Sequence, residues 1–183
     1  MMALRAHIAA PRRVLGVLAT LLAFEGAWLA CVLGAARGWP WAGTVAALAV
    51  VAGFVGLSAK PRVDAALIAV TLAFGLAHDS AMAAAGWISY AEPGPLPSLA
   101  PAWILALWAL FAVVLREPLR WLHARLSWAA LLGALGGPLS YAAAARIGAI
   151  EWPEPARAMV ALALGWAAIT PLLLALARRW DAR

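Results

Sequence analysis

The sequence predicts an all-α fold, a polytopic transmembrane bundle of six helices in one domain with both termini in the cytoplasm. Three observations carry that expectation. The chain is 66% hydrophobic and 12% charged, with mean hydropathy +0.90, whereas soluble domains average about 25% charged residues. A water-soluble fold cannot hide that much apolar surface, so the bilayer is the expected solvent. Apolar stretches near spanning length recur along the chain, and Lys and Arg concentrate in alternate breaks between them.

A spanning helix needs about 20 apolar residues. The expected helices cover 14–35, 40–57, 65–87, 98–115, 128–149 and 158–177. Pro40 follows Gly38-Trp39 and opens the second, because proline suits the first helical position. Lys60-Pro61-Arg62 separates the second from the third. Glu92-Pro93-Gly94-Pro95-Leu96-Pro97 cannot be helical and reads as the longest loop. The fourth helix is short, and the expectation lengthens it back to Ser98. Arg116-Glu117-Pro118 ends it, and Glu151-Trp152-Pro153-Glu154-Pro155 opens the sixth. Arg12-Arg13 before an apolar run resembles a signal peptide. Glu25 interrupts that run, however, and Trp28-Leu29-Ala30 before Cys31 fits small-residue processing poorly, so the first helix is expected to be retained.

Orientation follows from the basic residues. Arg5, Arg12, Arg13, Lys60, Arg62, Arg116, Arg120, Arg125, Arg178, Arg179 and Arg183 fall on one side, against Arg37, Arg146 and Arg157 on the other. The basic side is expected to be cytoplasmic, and the opposite side carries Glu92, Glu151 and Glu154. There are 11 tryptophans, and most fall at expected helix ends as an interfacial belt. Trp28, Trp108 and Trp166 sit deeper, as bulky packing or as walls of a hydrophobic pocket.

A charge near the bilayer centre costs about 2.5–3.5 kcal/mol and marks a candidate site. Asp79, Glu25 and Arg146 are such charges. Asp79 shares a face with Thr71, Gly75 and Ala83, a stripe small enough for close helix approach, so it is expected to point into the bundle. Counted from the outer boundary, Asp79 lies ~12 Å deep, Glu25 ~15 Å and Arg146 ~5 Å. The long Arg146 stem is expected to reach toward Asp79. His78, Ser140 and Tyr141 complete the candidate polar pocket. Pro138 and Pro171 each free a carbonyl within a helix, and Gly133 and Gly137 have the spacing of close helix packing.

Other chemistry is not encoded. One cysteine, Cys31, makes no intramolecular disulfide or cysteine metal site, and three histidines make no histidine box. No phosphate loop, dinucleotide fingerprint or nucleophile elbow is present. Neither a metal nor another cofactor is expected, no catalytic residue is assigned, and no basic domain exists to bind nucleic acid.

Several stretches together carry a resemblance. They are Trp28-Leu29-Ala30-Cys31-Val32-Leu33-Gly34-Ala35, Asp79-Ser80, Pro101-Ala102-Trp103 through Leu107-Trp108, Gly136-Gly137-Pro138-Leu139-Ser140-Tyr141 and Gly165-Trp166. In this order the chain resembles the bacterial integral membrane protein family called domain of unknown function 2878. The resemblance implies a multi-pass location in the inner membrane and carries no activity with it. It also implies an association with genes of membrane-lipid modification. Family members tend to have an amide where this chain has Glu25, which implies that Glu25 is not an obligatory catalytic carboxylate and gives Asp79 more weight.

The leading expectation is a non-catalytic protein that binds or moves a hydrophobic or lipid-like molecule, alone or assisting a lipid-modifying enzyme. Its expected partners are membrane lipids, a lipid-like ligand or a membrane partner protein. The alternatives are a small membrane enzyme using Asp79 for acid–base chemistry, and a structural subunit of a membrane complex.

Overall fold

The computed structural model describes residues 2–182, with side chains from Leu15 onward. Six helices form it: α1 (Met2–Ala36), α2 (Pro40–Gly56), α3 (Pro61–Ala84), α4 (Ala102–Val114), α5 (Leu126–Ile147) and α6 (Pro155–Asp181). α1 from Leu15, α3, α5 and α6 are long and apolar enough to cross a membrane, while α2 and α4 are shorter. The chain is an all-helical transmembrane bundle. Arg5, Arg12, Arg13 and Arg183, counted above for orientation, have side chains outside the described residues.

Helix ends follow local chemistry. Proline occupies the first turn of α2, α3 and α6, where its missing N–H is not needed. α3 therefore begins at Pro61, four residues before the expected start. It ends at Ala84 because Gly86 turns the backbone to φ 68°. α4 begins at Ala102 and not at Ser98, because Pro101 is extended at φ −69°, ψ 160° and the preceding segment is a chain of turns.

The short α4 is the centre of the bundle, packed against α1, α2 and α3. Trp103, Ile104, Ala106, Trp108, Ala109, Leu110, Ala112, Val113 and Val114 are all buried. Its 13 residues rise only about 20 Å, less than the ~30 Å hydrocarbon core. Such a helix is tolerated because irregular backbone at membrane depth is permitted where protein covers it. α3 continues the bundle to α6, and α6 packs on α5.

Contacts at the two ends show that successive helices alternate in direction. At one end, Ser89–Tyr90 (β1) pairs antiparallel with Ile150–Glu151 (β2), in register Ser89 with Glu151 and Tyr90 with Ile150. This short ribbon is an addition to the all-helical expectation, and it ties the α3–α4 connection to the α5–α6 turn. The Trp103 indole N–H donates to the Glu92 carbonyl at 3.2 Å, and the Ala100 amide donates to Ser80 Oγ at 2.9 Å, which fastens the proline-rich loop over α4. At the opposite end, the ends of α2, α4 and α6 meet the start of α3 in a polar network described below. The first end carries Glu92, Glu151 and Glu154, balanced by Arg37, Arg146 and Arg157, and the second carries Lys60, Arg62, Arg116, Arg120, Arg125, Arg178 and Arg179 in excess over Asp64, Glu117 and Asp181. They are called here the acidic and basic ends.

Candidate functional site

α3 presents Thr71, Gly75 and Asp79 to the interior, and Asp79 and Thr71 are fully buried. Thr71 satisfies its hydroxyl on the Leu67 carbonyl at 2.7 Å. Gly75 leaves room for the Trp108 ring of α4, since a Cβ there would fall inside the indole. That approach aims the Trp108 indole N–H at Asp79 Oδ2, 2.6 Å away. Asp79 Oδ1 accepts two further bonds, from the Tyr90 hydroxyl at 2.7 Å and from the Tyr141 hydroxyl at 2.5 Å. One carboxyl group thus joins α3, β1, α4 and α5, with both oxygens occupied. Burial, and behind it the nearby Asp79, holds the Tyr90 hydroxyl well above the usual phenol range, so it remains a donor.

Beside this cluster the rings stack. Trp108 lies 4.6 Å from Trp166 of α6 with planes 15° apart, and Phe111 meets Trp166 edge-on at 5.1 Å. Trp166 in turn seats over Gly137 of α5, and its backbone passes over Gly133. His78 rests on Gly165 of α6, and neither ring nitrogen has a hydrogen-bond partner.

Trp28, Trp108 and Trp166 line one small apolar cavity with Tyr141 and Ser140. It adjoins a wider cleft of about 610 Å³ between α1 and α5, with Phe24, Trp28, Phe111 and Trp166 in its walls. Gly133, Gly136 and Gly137 form its α5 side. Leu21, Leu132 and Leu139 in its lining are exposed on the outer surface, so the cleft opens sideways toward lipid. Such a volume is of ligand size.

Of the sequence-derived polar candidates, Asp79 and Tyr141 are in direct contact. Ser140 lies one residue before Tyr141 and accepts from the Trp28 indole at 3.1 Å, bracing α1 against α5. Glu25 is exposed and belongs to the lining of the wide cleft instead. Arg146 is exposed, and no hydrogen bond or ion pair joins it to Asp79. Its expected reach toward Asp79 is therefore corrected: tyrosine and tryptophan donors fill that position, and the arginine remains outside the bundle.

The family model described as Protein of unknown function (DUF2878) matches residues 17–172. The chain belongs to that family. Neither a curated protein nor a solved structure matches it. The matched span of this DUF2878 member includes the whole Asp79 cluster and the residues of the wide cleft.

A second polar centre in this DUF2878 protein was not anticipated as such. The sequence places Arg116 only among the basic residues of one side. Its guanidinium donates to Asp64 of α3 at 2.7 Å, to Asp181 of α6 at 2.8 Å and to Ser58 at 3.3 Å. Only 12% of the Arg116 side chain and 5% of that of Asp64 are exposed. Lys60 adds a bond to the Asp181 carbonyl and lies 3.8 Å from its carboxylate. Partial burial disfavours the Arg116 charge, but its bonds to Asp64 and Asp181 outweigh this and hold it fully protonated. Tyr90 was also missed. Its only signal was one of two tyrosines placed just beyond the helix that carries Asp79.

Proposed function

We propose that this membrane protein binds a hydrophobic, lipid-like molecule in the cleft between α1 and α5, alone or as an accessory to a lipid-modifying enzyme. The observation that carries this reading is the cleft itself. It is ligand-sized, apolar, walled by aromatic rings and open to the side from which a lipid would enter. Asp79 supports the same reading by what it lacks. A catalytic acid or base needs a reachable proton, whereas Asp79 is fully buried and both its oxygens are engaged. Its role in this reading is to fix Trp108 and Tyr141, the inner wall of the binding site. The basic end faces the cytoplasm, as the positive-inside bias favours, and the membrane is the bacterial inner membrane.

Gly136 offers a direct test, because a Cβ added there meets nothing within 4 Å and it lines the cleft. Gly136→Leu is expected to fill the cleft while leaving the fold intact, since leucine is also the better helix former by about 1 kcal/mol. Mass spectrometry of the purified wild type is expected to detect a co-purifying hydrophobic molecule that the variant lacks. An equal load in both proteins, or none in the wild type, rejects the reading.

A further inference from the structure

The basic end holds a separate cavity of about 370 Å³, lined by His123, Leu126, Ala175, Arg178, Arg179 and Ala182. It lies between the start of α5 and the last turns of α6, away from the aromatic cleft. Its surroundings show a local charge imbalance. Asp64 and Asp181 are held by Arg116, with Lys60 also on Asp181, and Glu117 is held by Arg120. No carboxylate among the described residues is bonded to Arg178 or Arg179. Arg178 is held in place by a neutral group, donating through Nη1 to the His123 carbonyl at 3.3 Å. His123 is in turn fixed by Nε2 on the Leu115 carbonyl at 2.8 Å. Arg178 and Arg179 therefore line the cavity without a carboxylate partner among the described residues, beside an apolar wall of Leu126, Ala175 and Ala182. Trp128 lies near its rim in sequence, and it and Trp121 are more than half exposed, as side chains at a bilayer interface are.

We infer that this cavity binds the phosphodiester headgroup of an anionic membrane phospholipid. The guanidinium pair matches phosphate oxygens through charge-assisted hydrogen bonds. The apolar wall receives the glycerol and the first acyl carbons, which a free phosphate ion does not have. Basic pockets between helices near the membrane surface take such headgroups. The inference is independent of the aromatic cleft and stands or falls without it.

The experiment uses the full chain in a neutral detergent and follows thermal stability and native mass as phosphatidylglycerol, phosphatidylcholine or inorganic phosphate is added. Phosphatidylglycerol is expected to raise Tm saturably, with one lipid retained per protein, while phosphatidylcholine and inorganic phosphate leave Tm unchanged. The double variant Arg178→Gln, Arg179→Gln is expected to weaken phosphatidylglycerol binding roughly thirtyfold, through loss of the direct charge-assisted hydrogen bonds to the phosphate. The control Arg62→Gln, Arg125→Gln removes the same charge from the same end and is expected to change it by less than about threefold. An equal loss in the control means a diffuse surface potential and overturns the inference. Equal stabilisation by phosphatidylcholine or by inorganic phosphate overturns it as well.

Discussion

A buried carboxyl group in an apolar bundle is tolerated only where donors replace water. Asp79 has three, from Tyr90, Tyr141 and Trp108. Their chemistry is not equal. A tyrosine hydroxyl can rotate to accept, but the indole N–H only donates. Asp79→Asn therefore keeps an oxygen for Trp108 and lets the tyrosines turn toward its amide. The expected cost is about 1 kcal/mol, in line with the modest worth of such bonds in membranes. Asp79→Leu strands all three donors and is expected to cost roughly 3–5 kcal/mol. Melting in detergent measures both, and equal Tm values for wild type and Asp79→Leu would remove the pinning role. The burial of Asp79 was legible in the sequence because small residues recur at helical spacing on its face. The identity of its partners was not, because Tyr141 is 62 residues away and Tyr90 reaches it only after the chain reverses through Gly86.

At the scale of elements, close approach is set by where a glycine meets backbone. A Cβ on Gly43 of α2 would fall on the Cys31 Cα and the Ala30 carbonyl of α1, neither of which can move aside. On the same helix Gly53 faces open space. Gly43→Ala is thus expected to destabilise by about 1–3 kcal/mol through overpacking. Gly53→Ala is expected to be neutral or to gain up to about 1 kcal/mol from helix propensity. Thermal or denaturant unfolding of the two single variants checks this, and identical behaviour would mean that α1 and α2 do not pack through Gly43. The sequence distinguishes these glycines poorly, since both lie in an apolar run without amphipathic contrast. Helix starts were more legible, because Pro40, Pro61 and Pro155 mark them physically. α4 was the least legible. Being apolar all round, it has no face to read, and its central position depends on which neighbours surround it.

The whole molecule is held at two levels by polar groups, Asp79 toward the acidic end and Arg116 at the basic end. The basic end was visible in the sequence as a charge bias, since counting Lys and Arg needs no contacts. The network within it was not, because Arg116 lies 52 residues from Asp64 and 65 from Asp181, and only the folded bundle brings them together. The arrangement binds the ends of α2, α4 and α6 to the start of α3, so it closes the bundle at the end of the short α4. Removing one partner of a buried ion pair leaves the other charge without compensation, which costs more than the pair contributes in total. Arg116→Leu is accordingly expected to lower stability by about 3 kcal/mol, chiefly by stranding Asp64, since Lys60 still serves Asp181. The double variant Arg116→Leu, Asp64→Leu removes the stranded charge and is expected to recover more than half of that loss. The comparison is made by melting the wild type, both single variants and the double variant in the same detergent. If the double variant is as unstable as Arg116→Leu alone, or less stable, then the guanidinium holds the basic end through Asp181 and Ser58, and the pairing with Asp64 does not close the bundle.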